Sequence, residues 1–161
     1  GSPDASSGSH NDADVAFVQG MVPHHEQAIQ MSELVIANGD DPTVIALAEQ
    51  INAAQGPEID QMNTWLDDWD IDPAGSDGMD GMDGANGMMS DDEMDMMSEA
   101  MGADLDRMFL ETMIRHHQGA IRMAEVELEE GSNADVLALA QGIIDGQQAE
   151  IDQMHSMLED T

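Results

Sequence analysis

An internal duplication constrains this chain more than any other feature. Displacing the sequence by 92 positions lays residues 17–68 on 109–160 without a gap, and 22 of those 52 positions are identical. FVQGMVPHHEQAIQMSE in the first copy answers FLETMIRHHQGAIRMAE in the second, and PEIDQM (57–62) answers AEIDQM (149–154). Whatever the chain folds into must accommodate one structural unit twice.

Each unit reads as a helical hairpin. At about 100° per residue, Phe17, Met21, His24, His25, Ala28, Met31, Ser32 and Val35 share one helix face. Gly39 ends that helix, and Asp41-Pro42 opens the next as N-cap and first-turn proline. The second helix carries the stripe Val44, Ala48, Ile51, Gln55, Glu58, Met62 and Trp65. Its counterpart is Val136, Ala140, Ile143, Gln147, Glu150, Met154 and Met157. A further helix start lies at Ser90, where Ser-x-x-Glu to Glu93 is a capping box. Neither hairpin can bury its stripe alone. The expected fold is an all-α four-helix bundle, with the two hairpins packed about a pseudo-two-fold axis as one domain. Pro23 and Pro57 are expected to kink the first two helices, since the second copy has Arg115 and Ala149 there. The expected organisation is a flexible leader (1–11), a first hairpin (12–69), a Met/Gly/Asp-rich linker (70–90) and a second hairpin (91–161).

Charge excludes whole classes of function. Three arginines stand against 35 acidic residues, a formal net charge of −32. Such a chain cannot neutralise nucleic-acid phosphates and is repelled by anionic membrane surfaces. No apolar run reaches the roughly 18 residues of a spanning helix, so no membrane insertion is expected. The absence of cysteine removes disulfides, thiolate zinc sites and cysteine nucleophiles. No Gly-rich phosphate loop, nucleophile elbow or serine triad is present, so no enzyme is expected. Sixteen methionines and six histidines then call for an explanation.

The repeated element Met-x-x-His-His-x-x-Ala-Ile-x-Met supplies Met21, His24, His25 and Met31, then Met113, His116, His117 and Met123. Thioether and imidazole together suit Cu(I) and Ag(I), whereas calcium and magnesium want oxygen ligands. Methionine at helical spacing is ordinarily core filler. Histidines on the same face, doubled and repeated, tip the balance toward ligation, because buried imidazoles need partners. A hairpin turning near residue 40 places Glu58 opposite His24-His25, and Glu150 opposite His116-His117. These carboxylates can fix imidazole tautomers, set the hairpin register, or act as ligands. The last option, a carboxylate–histidine metalloenzyme using zinc, iron or manganese, ranks second, because the di-iron pattern needs Glu-x-x-His on two helices. A metal-free acidic adaptor ranks third.

The stretch 71–104, which includes the linker, carries its own methionines: Met79, Met82, Met88, Met89, Met94, Met96, Met97 and Met101. In a Gly/Asp loop, Met79 to Met89 are expected to be exposed and to bury nothing, which favours their gathering around a soft ion. Acidic low complexity is the alternative there, and Met94 onward also fits a helix face.

The doubled His-His helices, with Glu-Ile-Asp-Gln-Met following each, resemble the domain-of-unknown-function 305 family over about residues 12–160. The resemblance implies a ferritin-like bundle and frequent export. It also implies a kinship with periplasmic copper-binding proteins linked to copper and silver resistance, and hence a metal-binding role for Met21, His24, His25, Met31, Met113, His116, His117 and Met123. The expectation is an exported Cu(I)-binding protein, with Cu(II) and Ag(I) as further ions, serving sequestration or delivery, with a copper-trafficking protein as candidate partner. Lack of cysteine fits an oxidising compartment, where thioethers remain usable.

Charge also generates a prediction. A chain at −32 repels itself, and the Debye length is only about 10 Å at 0.1 M salt. The melting temperature should therefore rise from low to moderate sodium chloride. A melting temperature indifferent to salt would show that burial outweighs the repulsion.

Overall fold

The computed structural model describes residues 9–72 and 87–160. They form an all-α structure with five helices among the described residues: α1 (Asp12–Asn38), α2 (Pro42–Asp68), α3 (Asp91–Glu99), α4 (Gly102–Glu130) and α5 (Ala134–Asp160). None is long and apolar enough to cross a membrane. Four long helices make the bundle, α1 pairing with α2, α4 with α5, and α1 with α4 across the repeat boundary.

Local chemistry accounts for the helix starts. Asn11 and Asp14 form a capping box at α1, and Ser90 and Glu93 form another at α3. Asp41 caps α2 through the Thr43 N–H at 2.9 Å, with Pro42 in the first turn. Asn133 accepts the N–H groups of Asp135 and Val136 at the head of α5. α1 runs through Pro23 and α2 through Pro57 as continuous helices. Gly39 ends α1, but not as a left-handed cap, since its φ of −77° and ψ of 173° are extended. Its value is smallness: a Cβ there would meet the Asp106 carboxylate and the Val35 carbonyl.

That close approach belongs to a reciprocal clasp between the repeats. Asp106, near the start of α4, accepts the N–H groups of Asp40 (3.1 Å) and Asp41 (2.8 Å) in the α1–α2 turn. Asp14, its counterpart 92 positions earlier, accepts those of Ser132 (3.1 Å) and Asn133 (3.0 Å) in the α4–α5 turn. Each repeat thus satisfies orphan donors at the other's second helix, which fixes α1 and α4 antiparallel.

The core divides into two apolar clusters. One gathers Phe17, Met21, Met62, Trp65, Ala120, Ala124 and Ile143; the other gathers Met31, Val44, Ile51, Phe109, Met113 and Met154. Between them, on all four long helices, lies a buried polar layer of His24, His25, Gln55, His116, His117, Gln147 and Glu150.

The clasp is unequal at its two ends. Glu127 sits where the first copy has Val35, and it is buried against Asp14. Burial, followed by the hydrogen bond to Asp14 and that residue's charge, pushes the Glu127 carboxyl from 4.5 up to about 9. Burial alone would raise Asp14 too, but hydrogen bonds from Glu127, Asn11, Ser132 and Asn133 outweigh it and hold Asp14 low. A protonated Glu127 therefore donates to an ionised Asp14 near neutrality. A pKa raised on folding favours the native state at low pH, and the benefit is lost as pH climbs from about 4.5 toward 9. Replacing Glu127 with Gln, which donates at every pH, should flatten the decline in melting temperature between about pH 5 and about pH 9. A variant whose decline matches the parent's would show that this pair carries no pH-dependent stability.

Candidate metal centre

Consecutive residues on a helix point about 100° apart, so a His-His pair addresses two neighbours at once. His24 and His116 point across the α1–α4 seam, and their rings face each other with centroids 3.8 Å apart at 35°. His25 and His117 turn instead to the partner helix of their own hairpin. His25 Nε2 lies 2.7 Å from Glu58 Oε1, and His117 Nε2 lies 2.6 Å from Glu150 Oε1. All four rings are buried. Of the other two histidines, His10 stacks on Trp69 at 4.2 Å, and His155 is exposed.

Proton bookkeeping in this layer exposes lone pairs. A carboxylate only accepts, so Nε2 of His25 and of His117 must donate. In the neutral tautomer with the proton on Nε2, Nδ1 is the acceptor, and in both residues Nδ1 is buried without a hydrogen-bond partner. The same holds for the amide oxygens of Gln55 and Gln147, which occupy equivalent positions, and for His116 Nε2. Burial above all, and then the fields of His24, His117, His25 and Arg115, holds His116 well below the usual histidine range. It is a neutral imidazole, the form that binds metals. Among the described residues, no three His, Asp or Glu side chains gather into a group that could hold an ion by themselves.

The methionines divide by level. Met21 and Met113 are fully buried one turn from the His24–His116 pair, one in each apolar cluster, so thioethers flank the pair on both sides. Met31 and Met123 stand seven residues beyond the histidines, about 10 Å along the helix axis. Met31 fills the core, and the half-buried Met123 puts its methyl against Gly20. The motif thus falls into an inner set at the polar layer and an outer set remote from it.

The linker methionines depart from expectation. Met88 and Met89 are not exposed: they are 8% and 3% accessible. Gln27 pins the Met89 backbone to α1, and Gly87 lies against α4, so the end of the linker is packed onto the bundle. Met97 is fully buried on α3, Met94 packs against the same cluster, and Met96 and Met101 are exposed. Met79 and Met82 lie outside the described residues. Helical periodicity does not single out Asp14, Asp106 or Gln27. The aspartates left a signal, identity at the same 92-residue spacing just outside the aligned block, but Gln27 left none, because its counterpart is Gly119.

The family model for the domain of unknown function DUF305 matches residues 14–158. A putative secreted DUF305 protein from Streptomyces coelicolor superposes with a TM-score of 0.84 at 33% identity, over 92% of this chain and 93% of that one. A DUF305 fragment from Deinococcus radiodurans gives 0.84 at 32%, over 94% and 98%. CopM in its Cu(I)-bound form gives 0.76 at 31%, over 91% and 96%, and CopM has also been solved with Cu(II) and with silver. A curated relative, uncharacterized protein L153 of Acanthamoeba polyphaga mimivirus, is 40% identical over 55 residues, which span 34% of this chain and 36% of that protein.

The two Glu–His contacts differ in exposure, and that difference is testable. The Glu150 side chain is 9% accessible and the Glu58 side chain 26%. Glu150→Ala strands the His117 N–H in a dry layer and should cost about 1–3 kcal/mol in urea unfolding. Glu58→Ala opens a wetter position and should cost less. Equal losses would show the two ends of the layer to be equally hydrated.

Proposed function

This chain belongs to the DUF305 family, and from that premise we propose that it is an exported protein that binds Cu(I), with Ag(I) and Cu(II) as further ions, for sequestration or delivery. One observation carries the reading. In a buried layer of four imidazoles, His25 Nδ1, His117 Nδ1 and His116 Nε2 have no hydrogen-bond partner, and the thioethers of Met21 and Met113 flank the layer. Unprotonated nitrogen with sulfur is the donor set that a soft monovalent ion prefers. The copper- and silver-bound CopM structures, at 31–32% identity, support the same reading.

The proposed roles follow from position. His24, His25, His116, His117, Met21 and Met113 supply the inner donors. Glu58 and Glu150 orient His25 and His117 and keep their Nε2 atoms protonated, so that Nδ1 faces the ion. Met31 and Met123 stand as outer thioethers along the same helices. Met79, Met82, Met88, Met89, Met94, Met96 and Met97 are proposed as a collecting group in and beside the linker. The charge of −32 concentrates cations near the surface before any specific contact forms.

Replacing His24, His25, His116 and His117 together with Ala should abolish most tight Cu(I) binding, measured under reductant against a calibrated chelator. Met21→Leu with Met113→Leu, which conserves volume, should weaken it while leaving helicity intact. Protons compete at imidazole, with an ordinary pKa of about 6.5, but not at thioether. Lowering the pH to about 4.5 should therefore release the histidine-dependent ions and spare a methionine-bound fraction. A quadruple variant that binds as tightly as the parent would overturn the reading.

A further inference from the structure

The α1–α4 seam that sets His24 against His116 is crossed by residues 87–90. Gly87 has φ +78°, and a Cβ there would collide with the Arg115 carbonyl and lie 3.2 Å from the Cα of His116. The segment therefore touches α4 at the level of the histidines, and only glycine permits the approach. Two residues later, Gln27 on α1, one turn from His24, grips Met89 in both directions. Its side-chain oxygen accepts the Met89 N–H at 2.8 Å, and its amide donates to the Met89 carbonyl at 3.0 Å. A side chain that satisfies both backbone groups of one residue fixes that residue's position and its rotation. Ser90 then caps α3, whose Glu93 is paired with Arg115 of α4 at 2.9 Å.

The result is a strap anchored on both sides of the seam, carrying two buried thioethers, with Met89 in the same cluster as Met113. The duplication makes its one-sidedness informative. The counterpart of Gln27 is Gly119, which has no side chain with which to hold a strap.

We propose that Gln27 is a positioning residue for the metal site: it clamps residues 87–90 onto the α1–α4 seam so that Met88 and Met89 serve the His24–His116 pair as soft donors. This rests on the copper-binding reading above. It also separates Met88 and Met89 from the exposed Met96 and Met101, which lie outside the strap. Rotamer freedom of the two thioethers is given up on folding instead of on binding, so the ion meets donors already in place.

The test uses the full chain loaded with Cu(I) under reductant. Competition with a chromogenic Cu(I) chelator gives affinity, and copper-edge X-ray absorption counts sulfur against nitrogen neighbours. Gln27→Ala and the double variant Met88→Leu, Met89→Leu should each weaken the tightest site about tenfold or more. Both should lower its sulfur count equally, and combining them should do no more than the methionine change alone. Met101→Leu, at an exposed methionine outside the strap, should change neither quantity at that site. The leucine pair conserves volume, so it remains informative even where Gln27→Ala disturbs folding. Parent-like affinity and sulfur count in the leucine pair would overturn the proposal while histidine-dependent binding stands. Additive effects in the combined variant would overturn the role of Gln27. A parent that binds no Cu(I), or binds it equally well without the four histidines, would overturn the copper reading and this proposal together.

Discussion

Four imidazoles, two amides and a carboxylate cannot be buried halfway along a helical bundle unless the helices align to pair them, and the rest of this structure depends on that alignment. The contacts His25–Glu58 and His117–Glu150 join the helices within each hairpin, while His24 meets His116 between the hairpins. Sliding any helix by one turn, about 5.4 Å, would set an imidazole or carboxylate against aliphatic side chains. The polar layer therefore acts as a register mark, and the apolar clusters on either side supply burial without having to specify the alignment. Ring nitrogens left over after this pairing make the same layer a candidate for ligation.

Duplication accounts for the symmetry, and its local failures account for the rest. Asp14 and Asp106 perform one task twice, each holding the other repeat's turn. Glu127 in place of Val35 makes one of those clasps sensitive to protons and leaves the other plain. Gln27 in place of Gly119 lets one face of the central seam hold the strap. The two-fold scaffold thus has one titrating end and one covered face.

Electrostatics is as lopsided as the clasp. All three arginines lie on α4, while 35 acidic residues are spread over the chain. Arg107–Glu111 is exposed at both partners, and an exposed pair contributes little. Arg115 reaches Glu93 and joins α3 to α4. The Ser90 N–H above all, and then Arg115, holds Glu93 below its usual range against the effect of burial. With so few cations, backbone N–H groups at helix starts do much of the work of accommodating buried carboxylate, as at Asp14 and Asp106.

The sequence alone determined the unit and its period. Helical spacing placed Phe17, Met21, His24, His25, Ala28, Met31, Ser32 and Val35 on one face, and all of them are buried. The turn at Asp41-Pro42 and the capping box at Ser90 were equally legible, because caps and periodicity are local and depend on neighbours a few residues apart. Hairpin length even brought Glu58 and Glu150 to the right level. Only the tertiary structure decided which histidine of each pair faces its own hairpin and which faces the other repeat, since that depends on the rotation of α1 against α4. It also decided that Met88 and Met89 are buried, where composition pointed to exposure, because Gln27, some sixty residues distant in sequence, supplies backbone partners that a Gly/Asp loop cannot supply for itself. Asp14 and Asp106 took part only once the chain had folded back, for their partners are the unsatisfied N–H groups of turns in the opposite repeat.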